Sequence, residues 1–140
     1  MVADSIVRGN SSKKIVEIVR EAGAKKVYFA SGSPPIISQD PYGIDLPTTQ
    51  ELIAANKSNE QIRKFIGADG LFYADIEKVR DAVRAGNKNL KNFSDGCFTK
   101  QYPTPEITPK LLKELGGHRN DMRGRHSEYD SYEDRSAQLV

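Results

Sequence analysis

Asp4-Ser5-Ile6-Val7-Arg8-Gly9-Asn10-Ser11-Ser12 runs straight into an amphipathic stretch, and Val27-Tyr28-Phe29-Ala30 follows soon after. Between them, Ile15, Ile18, Val19 and Ala22 share one helical stripe over residues 11 to 22. Lys13, Lys14, Glu17, Arg20 and Glu21 fall mostly on the other faces, and Gly23 supplies a stop. Val27 to Ala30 is apolar and β-prone, which suits a buried strand of a parallel sheet, and Ser31-Gly32-Ser33-Pro34-Pro35 ends it. Loop, helix, strand and loop in that order form the repeat unit of an open α/β sheet, whose ligands gather at the carboxyl ends of its strands.

The opening loop is also the densest chemistry in the chain. Asp4 offers a carboxylate for a metal or for sugar hydroxyls, and Gly9 lets the backbone approach an anion. Asn10, Ser11 and Ser12 place small donors where the first amides of a helix are unpaired. An anionic sugar phosphate fits such a cradle. The competing reading is a polar turn that only caps the helix, since Asp, Ser and Asn are ordinary caps. Such a loop normally follows a buried strand, whereas here only Met1-Val2-Ala3 precede it, so a truncated chain or a lost strand is expected.

Working outward, residues 36 to 47 look irregular, and Thr48 or Thr49 is placed to cap a short helix through Glu51-Leu52-Ile53-Ala54. Ser58 should cap a second helix that turns Ile62, Phe65 and Ile66 inward and stops at Gly67. Gly70-Leu71-Phe72-Tyr73 reads as another strand, and Asp75 caps an amphipathic helix through Ile76, Val79, Ala82 and Val83 that ends near Gly86-Asn87. After Asn87 the pattern weakens, apart from a helix over Pro109 to Leu115 that starts on a favourable proline. His118 to Arg135 is too polar to offset an ordering entropy of roughly 1 to 2 kcal/mol per residue, so disorder or a loosely attached arm is expected there.

Composition narrows the function classes. With 21 basic and 19 acidic residues among 140, the formal charge is +2, which favours neither nucleic acid nor an anionic membrane as partner. The single Cys97 excludes an internal disulfide and any Cys/His zinc pattern; beside Phe98 it reads as a small buried hydrophobe. No stretch approaches the roughly 20 apolar residues of a membrane span, and no signal-peptide core opens the chain. A cytoplasmic protein is the expectation.

Several segments, in order, resemble the C-terminal part of the amidophosphoribosyltransferase family. They are Asp4-Ser5-Ile6-Val7-Arg8-Gly9, Gly23 to Ser31, Ser33-Pro34-Pro35, Tyr42-Gly43-Ile44-Asp45-Leu46-Pro47-Thr48, Glu51-Leu52-Ile53-Ala54, Ile66-Gly67-Ala68-Asp69-Gly70-Leu71 and Cys97-Phe98-Thr99. The resemblance covers residues 3 to 103 and implies a partial type I phosphoribosyltransferase domain over 1–103: α/β, Rossmann-like, with a mainly parallel sheet. A short helix and a polar tail over 104–140 would follow it. It implies binding of phosphoribosylpyrophosphate or a nucleoside monophosphate by Asp4, Ser5, Arg8, Gly9, Asn10, Ser11 and Ser12, with Asp4 also facing Mg2+. The family activity is transfer of ammonia from glutamine to phosphoribosylpyrophosphate, giving 5-phosphoribosylamine for purine synthesis.

The departures limit that transfer. Ala3 stands where the family's loop usually has a second acid, which weakens the expected metal and ribose contacts. Neither the glutaminase domain nor the earlier half of the transferase domain is recognisable, so these residues are expected to be inactive alone or to bind ligand only, and no residue is assigned as catalytic. Ser94 replaces the first cysteine of a C-x-x-C pair found in some relatives, and with Cys97 alone no iron-sulfur cluster is expected. The alternative is a non-catalytic interaction or regulatory module, self-associating or pairing with a full-length relative; size in solution separates the two.

Overall fold

The computed structural model describes residues 1–117. Two compact units divide at Thr104 and Pro105. In the second unit residues 109–117 are helical, and the Leu111 amide donates to the Thr108 hydroxyl at 3.2 Å, so threonine caps the turn that Pro109 enters. The disorder or loosely attached arm expected of His118 to Arg135 lies outside the described residues.

The first unit is built on three parallel strands, β1 (Val2–Ala3), β2 (Tyr28–Ser31) and β3 (Gly70–Tyr73), in the order β1-β2-β3. Val2 stands beside Ala30 and Ala3 beside Ser31, while Phe29 pairs with Leu71. A strand is therefore present before the loop, as a two-residue stub, and of the two expected alternatives the lost strand is ruled out. Two residues suffice because the ladder extends past them: Ala30 donates to the Met1 carbonyl at 3.0 Å and Gly32 to the Ala3 carbonyl at 2.8 Å.

Helix α1 (Asn10–Glu21) connects β1 to β2, and α2 (Ile53–Asn56) and α3 (Asn59–Ile66) precede β3. Helix α3 forms as its sequence dictates: Ser58 and Gln61 make a reciprocal capping box, and Gly67 ends the helix left-handed at φ 75°. Its Ile62 and Ile66 join Val16 of α1 and Phe29 and Leu71 of the sheet in one core with Ile6, Val27, Ile53 and Ala68. A smaller cluster joins Ile36, Leu46, Leu52 and Cys97. Cys97 lies on α5 (Gly96–Thr99), a helical turn that no local signal announced.

Three packing expectations change. Ser12 and Val16 are the buried residues of α1, and Val19 packs partly against the core, so the inward line is i, i+4, i+7. Ile15 and Ile18 are rotated off that line and lie 39% and 52% exposed. A serine holds the inward position closest to the loop, which is why an apolar stripe misled. Strand β2 is buried on one face only: Phe29 is fully covered while Tyr28, Val2 and Phe72 are exposed, because side chains alternate across the sheet. Phe65 is 37% exposed.

Helix α4 (Ile76–Gly86) starts on Asp75, whose carboxylate accepts from the Glu77 and Lys78 amides as expected, but none of its residues is buried. It is tied instead by Arg80, which donates to Asp95 at 2.7 Å and also reaches Glu77.

Candidate functional site

The loop after β1 becomes a cradle through three physical choices. Gly9 is left-handed at φ 81° and stands at the N-cap of α1 with no side-chain cap on the helix. The first amide to be paired is that of Lys13, which donates to the Gly9 carbonyl at 2.9 Å. The amides of Asn10, Ser11 and Ser12 precede that first bond and are left open, with the positive end of the helix dipole behind them. The capping-turn reading fails on this point, because the polar side chains present do not close the helix.

Asp4, Ser5, Val7, Arg8, Gly9, Asn10, Ser11 and Ser12 together line one concavity of about 420 Å³. All seven residues singled out from the sequence thus meet in one place. Asp4 is exposed, and its Oδ1 accepts the Ser5 amide at 2.6 Å. Among the described residues no group of three His, Cys, Asp or Glu side chains comes together for a metal. The donor set suits a hydrated ion that brings phosphate oxygens with it, since magnesium commonly takes only one or two carboxylates from protein.

Arg8 is neither free in solvent nor turned wholly to the cradle. Its Nε and Nη2 both donate to Glu51 Oε1, at 2.9 and 2.6 Å. The other carboxylate oxygen of Glu51 accepts the amide and the hydroxyl of Thr48, at 3.0 and 2.9 Å. Partial burial pushes the Glu51 carboxyl up, but the hydrogen bonds from Arg8 and Thr48 and the Arg8 charge outweigh it and hold it at about 2. The expected Thr48 helix cap is redirected here: α2 begins only at Ile53, after Leu52, without a side-chain cap.

Ile53 completes the support. Its amide donates to the Val7 carbonyl at 2.9 Å. A Cβ built on Gly9 would come within 2.8 Å of Ile53 Cδ1 and 3.1 Å of Phe65 Cε1, so a side chain here would strain a positive φ and also push aside the ends of the Ile53 and Phe65 side chains. Phe65, expected in the core, thus packs partly exposed beneath the loop. Glu51 and Ile53 are the residues sequence reasoning missed as parts of the site. The Thr48-x-x-Glu51 spacing carried a capping-box signal for the fold-back onto Thr48, but nothing local pointed to Arg8.

The other distinctive residues stay outside the site. Cys97 is 3% exposed, and burial, followed by the nearby Asp40 charge, pushes its thiol up to about 11, so it is not poised as a nucleophile. Tyr42 donates its hydroxyl to Thr104 at 2.9 Å, which ties its loop to a segment 62 positions along the chain. No described helix is long and apolar enough to cross a membrane.

No family model matches the chain. Curated relatives do. The amidophosphoribosyltransferase of Pasteurella multocida is 43% identical over 131 residues, which is 94% of this chain and 26% of that protein. That of Escherichia coli is 46% identical over 121 residues, 86% of this chain and 24% of the relative, and that of Methanocaldococcus jannaschii is 46% identical over 112, or 80% and 23%. Among solved structures, the glutamine phosphoribosylpyrophosphate amidotransferase of B. subtilis complexed with ADP and GMP superimposes with a TM-score of 0.70 at 39% identity, covering 82% of this chain and 26% of that one. A second, titled as the allosteric regulatory enzyme of purine biosynthesis, gives a TM-score of 0.70 at 38% identity over 83% of this chain and 25% of its own. The chain spans about a quarter of the length of the relatives it matches.

Proposed function

The chain is homologous to amidophosphoribosyltransferases over a quarter of their length, and from that relationship we propose that it is the ribose-phosphate-binding segment of such an enzyme, acting in the cytoplasm. Its loop, from Asp4 to Ser12, holds the 5-phosphate of phosphoribosylpyrophosphate or of a nucleoside monophosphate. The observation that carries the reading is the uncapped start of α1 behind a left-handed Gly9, opening into a concavity lined by the loop's own polar groups.

The physical roles follow from position. The open amides of Asn10, Ser11 and Ser12 and the exposed Ser11 hydroxyl supply donors to an arriving phosphate dianion, which is the advantage of a helix N-terminus as an anion site. Arg8 adds a guanidinium at the rim, its charge partly offset by the paired Glu51 carboxylate. Asp4, beside them, is suited to accept hydrogen bonds from ribose hydroxyls. Magnesium, when bound with the pyrophosphate, would neutralise charge on that leaving group, and Asp4 is the carboxylate that would face it. These residues bind and orient the donor sugar, and holding its anomeric carbon still toward an attacking ammonia is a contribution through position. The family reaction, formation of 5-phosphoribosylamine with ammonia drawn from glutamine, belongs to the reading for the enzyme as a whole. The residues described here are assigned binding, with no ammonia-releasing role.

Titration calorimetry with phosphoribosylpyrophosphate tests this. Weak, magnesium-dependent heat is expected from the wild-type chain and none from an Arg8→Ala, Gly9→Val double variant that remains folded. No heat from wild type with magnesium present would overturn the proposal.

A further inference from the structure

Three consecutive loop residues are gripped from the same short segment far along the chain. The Val7 carbonyl is held by the Ile53 amide, the Arg8 side chain by Glu51, and Gly9 lies against the Ile53 side chain. The first and third contacts shape the backbone of the loop. The second fixes a charged side chain, and it is built to do so: both Glu51 oxygens are engaged, one by the guanidinium and one by Thr48.

We propose that Glu51 is a positioning residue for phosphate binding, holding the Arg8 guanidinium by its Nε/Nη2 edge so that the Nη1 edge is presented to the oxyanion in the Asp4 to Ser12 cradle. The proposal rests on the phosphate-binding reading of that loop. Arginine recognises phosphate through a planar fork whose value depends on orientation. An arginine on a flexible stem must give up its rotamer freedom when the ligand arrives, whereas one already clamped has lost it on folding. Glu51 carries a negative charge close to an anion site, which by itself repels phosphate. The arrangement is advantageous only if the gain from orientation exceeds that repulsion, and this sets the sign of the test. The Glu51 carboxyl, held at about 2, stays ionised through the range in which phosphate is a dianion, so the clamp does not loosen with pH there.

The probe is ribose 5-phosphate without added metal, which carries the loop's ligand group and leaves magnesium out of the measurement. Wild type, Glu51→Gln, Arg8→Ala and the double variant are titrated by 1H–15N NMR, following the loop amides and the Arg8 Nε–H signal. Glu51→Gln should weaken binding about tenfold, the scale of the side-chain freedom restored to Arg8. It should also shift the Arg8 Nε–H signal toward that of a solvated guanidinium before any ligand is added, and it should have no further effect on affinity in the Arg8→Ala background. A merely structural role for Glu51 would weaken binding in both backgrounds. Affinity of Glu51→Gln within twofold of wild type, or tighter, overturns the positioning role, as does a loss that persists without Arg8. Absence of binding by wild type itself brings down the phosphate reading and this inference with it. Should Glu51→Gln fail to fold, Arg8→Lys, which keeps the charge but loses the fork, is expected to weaken binding to the same degree, and wild-type affinity in that variant refutes the proposal.

Discussion

Gly9→Ala is the sharpest probe of the loop, because Gly23 provides an internal control with a positive φ of its own and different surroundings. Gly9 has φ +81° with Ile53 Cδ1 at 2.8 Å and Phe65 Cε1 at 3.1 Å from an added Cβ, whereas Gly23 has φ +97° and nothing within 4 Å. An alanine in the left-handed region costs about 1 to 2 kcal/mol at either site, and the loss of unfolded-state freedom on replacing glycine is shared by both. The difference between the two variants therefore isolates the close approach. Forcing a methyl into packed surroundings costs about 1 to 3 kcal/mol, and because the atoms met are side-chain ends that can yield, Gly9→Ala should be less stable than Gly23→Ala by an amount at the low end of that range, about 1 kcal/mol. Urea unfolding followed by far-ultraviolet circular dichroism, with equal m-values, measures it.

Ile53→Val removes the very Cδ1 atom that the new methyl would meet, at a cost of about 1 kcal/mol alone. Combined with Gly9→Ala it should cost less than the sum by about 1 kcal/mol, a coupling expected only of residues in contact. Equal stabilities for Gly9→Ala and Gly23→Ala within about 0.5 kcal/mol, or strict additivity with Ile53→Val, would refute the argument that the loop is pressed against Ile53.

Two further outcomes concern ionisable groups. The Glu51 carboxyl is depressed from 4.5 to about 2 in the folded chain, so the unfolded state binds the extra proton between those values. The stability advantage of wild type over Glu51→Gln should therefore be full above about pH 4.5 and fade as pH falls toward about 2. Because the side chains of Arg8 and Glu51 are 37% and 32% exposed, that advantage is about 1 kcal/mol rather than the full shift; a difference that is flat from pH 6 to 2.5 would contradict the pairing. Cys97, raised to about 11, has roughly one thousandth of its thiol ionised at pH 8, against about a tenth to a quarter for an ordinary cysteine. Labelling with a disulfide reagent should be at least a hundredfold slower in the folded chain than in urea, and rates within tenfold of each other would contradict its burial.

What could be read from the sequence divides along the distance over which each cause acts. Gly70–Tyr73 forms the strand that was expected, and Ser58 and Gly67 bound α3 as capping chemistry requires, because those signals lie within a turn of what they control. The cradle residues were identifiable for the same reason: a glycine, small donors and a helix start are neighbours in the chain. Orientation against the core was not. Ser12 occupies an inward position of α1 while Ile15 and Ile18 do not, and that choice is made by the sheet and α3, elements encoded tens of residues later. The support of the loop lies further still, since Arg8 and Glu51 are 43 positions apart.

This separation bears on how the site works. Resemblance of Asp4 to Ser12 to a phosphate loop identifies a set of donors, and the 39% identity to a solved amidotransferase identifies a shared fold. The working shape comes from the segment containing Thr48, Glu51 and Ile53. Open amides at a helix start attract anions in any protein, but their strength as a site depends on being held still before the ligand comes. In this chain the holding is done by one backbone hydrogen bond, one packed glycine and one clamped arginine. A substitution at Glu51 or Ile53 should therefore disturb phosphate binding even with every residue of the loop intact.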